Sequence, residues 1–311
     1  MPNPTALRTT SLAGPAAASG SLRGIAWMLL TGLMFVSVTG VVRHLGSDMP
    51  AVQAAFIRYV FGTILLLPIL LGRRTGRINP RRIGLYALRG VAHGGAVMLW
   101  FYAMARIPIA QVTALGYLAP IFMTIGAALF LGERLYVRRI CAVLVAFGGA
   151  LIILRPGIEA VSIGALAQLT AAPLFAVSYI LAKKLTRTEQ SSTIVAYLSV
   201  FVTLVLLGPA LVAWRTPTPV ELFWLFMTAL FATLGHYTLT RALRAADIAV
   251  TQPVSFLQLV WATLLGFYAF GEEPDAWTWL GAAVVVGSAT YIAHRESRIR
   301  RNQRLNKVLE P

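Results

Sequence analysis

The sequence predicts an all-α polytopic membrane protein with ten transmembrane helices arranged as two inverted five-helix repeats. The 311-residue chain is 58% hydrophobic and only 12% charged, whereas soluble chains carry roughly a quarter charged residues. Its charges lie between apolar runs of about 20 residues, the length that crosses a bilayer core. In addition, segment 109–133 recurs as segment 248–272 without a gap, which indicates that a set of membrane segments is duplicated.

The duplication is visible residue by residue at an offset of 139 positions. Both copies are long apolar helix candidates that close on a Gly-Glu pair. Matching residues are Ile109 and Ile248, Ala110 and Ala249, Leu118 and Leu257, Thr124 and Thr263, Gly132 and Gly271, and Glu133 and Glu272. Two such halves are expected to face a shared site.

The apolar runs divide the chain into ten predicted spans. They cover 24–43, 51–71, 83–104, 109–131, 138–154, 161–182, 192–213, 219–240, 247–270 and 277–294. We therefore predict a disordered cytoplasmic tail at 1–23, a first repeat at 24–155, a second repeat at 156–294 and a basic cytoplasmic tail at 295–311. The N-terminal tail is polar and small, without the short apolar core of a cleaved signal peptide.

The distribution of Lys and Arg predicts the orientation. With the N-terminus in the cytoplasm, 21 of the 27 basic residues lie on the cytoplasmic side, four lie outside and two lie within spans. This bias places both termini in the cytoplasm. Because each half has five spans, an odd number, the second half enters the membrane from the opposite side, and alternation of two such halves between conformations can expose a site to either side.

Composition also excludes several functions. The net charge of +16 does not indicate nucleic-acid binding, since the basic residues flank membrane segments. The single Cys141 excludes an intrachain disulfide or a multi-cysteine metal site, and no metal or cofactor is predicted. No Walker motif for ATP binding, no HExxH and no GxSxG occurs. An intramembrane enzyme is therefore disfavoured, as is a receptor or scaffold, which more often carries a soluble domain.

Three stretches resemble the EamA family of the drug/metabolite transporter superfamily. They are AAFIRYVFG, then YAMARIPIAQVTALGYLAPIFMTIGAALFLGERL, and in the second half RALRAADIAVTQPVSFLQLVWATLLGFYAFGEEPDAWTWLGA. The resemblance covers almost everything from Gly24 to Arg295. It implies ten helices in two inverted repeats, with spans 3, 4, 8 and 9 prominent around a central cavity. The last stretch is similar to a proteobacterial branch that includes S-adenosylmethionine uptake proteins, riboflavin transporters and metallophore exporters.

Two arginines fall inside predicted spans. A charge at bilayer depth costs several kcal/mol, so Arg58 should face protein or water. It is a candidate anchor for a substrate carboxylate or phosphate, and helix packing against backbone carbonyls is the equal alternative. Arg89 lies nearer the cytoplasmic surface, and we expect its side chain to extend to that interface.

Polar residues within the spans are the remaining candidates for the substrate site. His93 and His236 are expected either to carry a coupling proton or to pair neutrally between helices. Spans 4 and 9 carry a polar set that suits either a pore lining or close helix packing. Its members are Gln111, Tyr117, Thr251, Ser255, Gln258 and Trp261.

Proline and glutamate mark the structural features of these spans. Pro120 and Pro173 are predicted helix breaks, because proline frees a backbone carbonyl. Glu133 and Glu272 are predicted to pair with basic residues or to cap helix N-termini. The sequence thus predicts a secondary transporter in the inner membrane for an amino-acid, vitamin or nucleoside-like metabolite. Its partners are the lipid bilayer and a small-molecule substrate, and a homodimer is compatible with the chain. An exporter of a metabolite, metallophore or drug is the main alternative.

Overall fold

Every regular element in the described part of the chain is an α-helix. The computed structural model describes residues 15–72, 82–119, 121–122, 125–126, 137–155, 161–185, 188–245, 254 and 256–309. These residues form eleven helices, α1 Pro15–Leu45, α2 Ala51–Leu65, α3 Leu67–Leu71, α4 Ile83–Met104, α5 Ile109–Gly116, α6 Val137–Leu154, α7 Ile163–Leu185, α8 Ser191–Val212, α9 Pro219–Ala245, α10 Leu257–Phe270 and α11 Ala276–Leu309. The all-helical part of the predicted fold class is therefore confirmed.

Four of these helices contain stretches long and apolar enough to cross a bilayer, judged by length and composition. The stretches are Leu22–Leu45, Ile163–Ala182, Ser192–Val212 and Pro219–Leu239. Shorter apolar helices occur at Ala51–Leu65, Leu144–Leu154 and Leu257–Phe270. Many large apolar side chains on them are exposed, among them Leu33, Leu204 and Phe267, which is the pattern of a bundle whose outer surface faces lipid.

Helix α1 begins at Pro15, within the segment 1–23 that the sequence predicted as a disordered tail. Proline suits the first helical position, since its ring presets φ and its missing N–H would have no intrahelical acceptor there. Ala16, Ala17 and Ala18 follow, and alanine has the highest intrinsic helix propensity. Residues 1–14 lie outside the described residues.

The first half of the chain packs mainly on the second half. Helix α1 packs on α9, α4 packs on α7, α2 packs on α8 and α6 packs on α11. A hydrogen bond of 2.9 Å joins the hydroxyls of Thr31 in α1 and Thr238 in α9. The largest apolar core contains side chains from both halves, including Phe101, Leu115 and Leu225. The interior is thus built between the halves.

Helix α5 is shorter than the continuous span predicted at 109–131. It ends at Gly116, where the N–H groups of Tyr117 and Leu118 donate to the carbonyls of Ala114 and Leu115, three residues back. The missing N–H of the following Pro120 explains the early end, because proline cannot donate to the Gly116 carbonyl. Pro120 itself lies outside the described residues.

Candidate substrate site

A small cavity with a mostly apolar lining lies between α2, α8 and α9. It has about 340 Å³ of empty volume, part of which is open to the surroundings. The lining comes from both halves of the chain and consists of Arg58, Tyr59, Gly62, Leu66, Val195, Leu198, Ser199, Ala229, Thr233 and His236. The family resemblance implied a cavity around spans 3, 4, 8 and 9, whereas this one lies at spans 2, 7 and 8.

Arg58 is the charged member of this cavity. Its side chain is only 6% exposed, and its guanidinium carbon lies 4.1 Å from the centre of the Tyr59 ring. Among the described residues, no carboxylate or carbonyl accepts a hydrogen bond from it. A cation on an aromatic face is attracted to the ring quadrupole, yet the guanidinium N–H groups remain available for an acceptor from outside the protein.

His93 lies beside the cavity and not in its lining. It is buried in α4, and its Nδ1 is 3.0 Å from the Ser178 hydroxyl of α7. The rings of Tyr59 and Phe175 meet it edge-on, with centroids at 6.3 and 5.2 Å. His93 therefore connects the two halves of the chain, and Tyr59 is the residue that contacts both His93 and the Arg58 guanidinium.

Arg89 does not extend to the interface as expected. Its side chain is 6% exposed, and Nη1 donates to the Ile194 carbonyl of α8 over 3.1 Å. The expectation of an interfacial side chain is therefore wrong. Ile194 belongs to the N-terminal part of α8, and it packs with Tyr86 and Leu185 in a small apolar cluster.

The two duplicated segments meet at a pair of aromatic rings. Tyr117 follows the end of α5, and Phe256 precedes the start of α10. These residues are equivalent at the offset of 139, and their rings pack edge-to-face with centroids 5.0 Å apart. Each copy of the repeat therefore contributes one ring at a helix end.

The other polar candidates of spans 4 and 9 lie around this contact. Gln111 is half-buried on α5. Gln258 and Trp261 are half-buried on α10 and pack close to Gly32 of α1. The Trp261 indole nitrogen is buried with no hydrogen-bond partner among the described residues. Helices α1 and α10 are thus in direct contact here, so these polar residues line a helix interface in this conformation.

The structure brings only some of the predicted site residues together. His236 shares the cavity with Arg58 and packs edge-to-face on Phe35, at a centroid distance of 5.3 Å. Pro173 lies inside α7, which continues through it. Its predicted break is therefore absent, since a bilayer helix tolerates proline when its neighbours satisfy the freed carbonyl. The remaining candidates, Pro120, Glu133, Thr251 and Ser255, lie outside the described residues.

Glu272 joins three helix ends at one end of the bundle. Its Oε1 is 2.8 Å from Nε of Arg43, which follows the apolar part of α1. Its Oε2 accepts the Ile109 backbone N–H over 2.8 Å, and Ile109 begins α5. Arg43 also donates to the Ala105 carbonyl over 3.0 Å. A carboxylate at a helix N-terminus is favourably placed in the helix dipole.

Two further polar contacts join the halves at the same end. The Gln53 side chain donates to the Arg215 carbonyl over 2.6 Å and accepts from the Arg215 N–H over 3.1 Å. Arg155 lies 2.6 Å from Asp275. Hydrogen bonds from Thr278, followed by the charge of Arg155, hold the pKa of Asp275 below its usual range. This end of the bundle is therefore closed by contacts between the halves.

Four residues at or beside the site were not predicted from the sequence. Ser199 and Thr233 line the cavity, Ser178 pairs with His93, and Phe256 packs on Tyr117. Hydroxyl residues are common in membrane helices, where they donate a hydrogen bond to the carbonyl four residues earlier. The sequence therefore did not distinguish these hydroxyl residues as site residues. Phe256 was detectable, because the offset of 139 pairs it with Tyr117.

Comparison with known proteins identifies transporters over almost the whole chain. It is 33% identical to the riboflavin transporter of Rhizobium johnstonii over 90% of this chain and 94% of that protein. It is 29% identical to an S-adenosylmethionine uptake transporter of Rickettsia bellii, covering 88% and 94%, and 27% identical to the pseudopaline exporter CntI of Pseudomonas aeruginosa, covering 85% and 93%.

A solved crystal structure is similar in fold, with a TM-score of 0.57 and 20% identity over 89% of this chain and 99% of its own. The model of the EamA-like transporter family matches the chain twice, at residues 22–155 and 162–293. The resemblance inferred from the motifs is therefore confirmed. With an all-helical fold, apolar spans and this double match, the chain is a multi-pass membrane protein that belongs to the EamA-like transporter family.

Proposed function

We propose that this protein is a secondary transporter that moves a small polar organic metabolite across the bacterial inner membrane by alternating access. The observation that carries the proposal is the cavity whose lining, including its polar side chains, is shared by the two halves of the chain. Arg58 comes from the first half, and Ser199, Thr233 and His236 come from the second. A site between two halves can be exposed to one side and then to the other when the halves move relative to each other.

The proposed arrangement is ten spans in two inverted repeats, at 24–155 and 156–294. The packing of the helices supports it. At an offset of 139, α1 corresponds to α7 and α4 corresponds to α9. The contact of α1 with α9 then corresponds to the contact of α7 with α4, and both are extensive. Two repeats related by a pseudo-two-fold axis have such reciprocal contacts.

A pair of close contacts between α6 and α11 supports the same axis. The Ser288 hydroxyl donates to the Ala142 carbonyl, and Gly149 lies directly against Gly281, close enough that a Cβ on either would meet the carbonyl of the other within 3 Å. At the offset of 139, Ala142 corresponds to Gly281 and Gly149 to Ser288. The two contacts are therefore exchanged by the proposed symmetry.

The names of the relatives support a vitamin or nucleoside-like substrate. One relative is a riboflavin transporter and another an S-adenosylmethionine uptake transporter, and both compounds carry a planar nitrogen heterocycle attached to a hydroxylated chain or sugar. Tyr59 supplies an aromatic ring in the lining of the cavity. Export is the second candidate for direction, because a third relative is an exporter.

The proposed orientation has both termini in the cytoplasm, following the distribution of basic residues. The end closed by Glu272, Arg155 and Gln53 then faces outward. In this proposal the described conformation belongs to the inward-facing or occluded part of the transport cycle. Accessibility of single cysteines to a membrane-impermeant reagent in a C141S background tests this orientation. Labelling of S47C from outside, and of N302C only after permeabilisation, is expected.

Flux through proteoliposomes tests the transporter proposal. Purified protein is reconstituted, and uptake of radiolabelled riboflavin and S-adenosylmethionine is compared with that of empty liposomes, with and without a pH gradient. Saturable, counterflow-competent flux is expected for one of them. Absence of flux for both compounds and for a panel of amino acids and nucleosides would oppose the proposal, and chemical alteration of a compound would indicate an enzyme instead.

A further inference from the structure

The strongest unassigned feature of the cavity is a buried cation, Arg58, for which the described residues supply no carboxylate partner. We infer that the cavity selects substrates that carry a carboxylate or phosphate, and that the Arg58 guanidinium binds this group. The inference rests on the proposed function and narrows its substrate class. It concerns the chemistry of one subsite and is independent of the direction of transport.

The Arg58 side chain is 6% exposed on a helix inside the bundle, where a charge is costly unless it is paired or hydrated. The described residues that line the cavity include no Asp or Glu. The Tyr59 ring offsets part of the cost, but it accepts no hydrogen bond in the plane of the guanidinium. An anionic ligand supplies both the charge and the acceptors.

Arg89 is a second buried arginine, and its side chain has a hydrogen-bond acceptor within the protein. It is equally buried, at 6% exposure, and its Nη1 donates to the Ile194 carbonyl. It does not line the cavity. The two arginines thus have the same burial but different surroundings, since one is bonded to backbone and the other faces empty volume. Arg89 is therefore a matched control for Arg58.

The hydroxyls of the cavity define the rest of the subsite. The Thr233 hydroxyl donates to the Ala229 carbonyl over 2.8 Å, and the Ser199 hydroxyl donates to the Val195 carbonyl over 3.4 Å. Because their hydrogens are used within the helices, the oxygens face a ligand as acceptors. The site therefore offers a cationic donor at Arg58 and neutral acceptors on the opposite helices. It suits a molecule with an anionic group beside hydroxyl or amine donors.

Binding of two matched pairs of compounds tests this inference. The first pair is S-adenosylmethionine and its decarboxylated analogue, and the second is riboflavin 5′-phosphate and riboflavin. Each pair differs by one anionic group. Dissociation constants are measured by calorimetry on the full-length protein in detergent, for the wild type and for Arg58→Gln, Arg58→Lys and Arg89→Gln. A thermal unfolding curve for each variant confirms that it is folded.

We expect the wild type to bind the anionic member of at least one pair about tenfold or more tightly than its partner, as a charge-assisted hydrogen bond predicts. Arg58→Gln should bring the two members of the pair to within about twofold. Arg58→Lys should retain part of the preference, because it keeps the charge but loses the bidentate geometry. Arg89→Gln should retain the wild-type ratio even where its overall stability falls.

Three results would overturn the inference. They are equal affinity for both members of the pairs in the wild type, an unchanged ratio in Arg58→Gln, and binding of none of the four compounds. The transporter proposal is judged separately by flux. Saturable flux of riboflavin that is unaffected by Arg58→Gln would contradict the anion subsite and support the transporter proposal. Absence of flux for every solute would contradict the transporter proposal itself.

Discussion

Glu272 is the residue whose replacement most directly tests how the two halves are held together. Its carboxylate contacts Arg43 over 2.8 Å and accepts the Ile109 N–H over 2.8 Å. Glu272→Gln preserves the size of the side chain and one amide oxygen for Ile109, but it removes the charge. Glu272→Ala removes both contacts. The neighbouring Glu273 is exposed, so Glu273→Gln is the matched control.

The magnitude follows from the partial burial of the ion pair. The Arg43 and Glu272 side chains are 24% and 10% exposed, so solvent screens their attraction less than at an open surface. The hydrogen bond from the Ile109 N–H to the charged carboxylate contributes about 1.5–3 kcal/mol, and a charge at a helix N-terminus contributes up to about 2 kcal/mol in partly buried geometry. Because the contributions overlap, we expect Glu272→Gln to lower the free energy of unfolding by about 2 kcal/mol. Glu272→Ala should cost about 3 kcal/mol, since it leaves the Ile109 N–H without its acceptor.

A double-mutant cycle isolates the ion pair. Reversible unfolding in mixed detergent micelles is followed by far-ultraviolet circular dichroism for the wild type, Arg43→Gln, Glu272→Gln and the double variant. We expect a coupling of about 1–2 kcal/mol, within the range of contacting residues. Additivity of the two single changes within about 0.3 kcal/mol, or an equal loss in Glu273→Gln, would refute the reasoning that this pair stabilises the closed end.

Three other predictions concern the same bundle. Hydrogen bonds and a nearby guanidinium depress the pKa of Asp275, so the ionised carboxylate stabilises the fold fully above its unfolded-state pKa of about 4, and this stabilisation is lost as the pH falls through the folded-state pKa. The loss of unfolding free energy in Asp275→Asn should therefore shrink below about pH 4 in unfolding titrations, and a loss that does not change with pH would contradict this. Gly281→Ala should lower the free energy of unfolding by about 1–3 kcal/mol, because the added Cβ would lie 2.6 Å from a backbone carbonyl of α6. Gly287 has open space around it, so Gly287→Ala should be neutral or stabilising in the same unfolding assay. Gln53→Ala should cost about 2 kcal/mol by leaving a backbone N–H and carbonyl without their partner, and a loss below about 0.5 kcal/mol would indicate that water replaces the amide.

The all-helical membrane fold was predictable because it depends on features that act along the chain. Apolar length and the clustering of Lys and Arg place the helices without knowledge of their neighbours. The duplicated segment at 109–133 and 248–272 indicated a shared interior. The end of α5 at Gly116 was also accessible, since Pro120 lacks the N–H that would continue the helix.

The details of the site depend on contacts between segments distant in sequence, and these were not predictable. Arg89 was expected at the interface, since its distance from the surface was judged along its own helix. It is buried because α8 supplies the Ile194 carbonyl within its reach. The acceptor role of Glu272 toward Ile109 involves a backbone N–H, which no sequence motif can specify. Pro173 lies in a continuous helix, because proline alone does not decide whether a membrane helix breaks.

The interleaving of the two halves also constrains how the protein is made. Thr31 hydrogen-bonds with Thr238, 207 residues later in the chain, so at a synthesis rate of about 5–20 residues per second its partner appears about 10 to 40 s afterwards. His93 similarly precedes its partner Ser178. During this interval the Thr31 and His93 side chains have no final partner. Completion of the interior therefore coincides with the last steps of translation, and a chain that stops before α9 lacks the surface on which α1 folds.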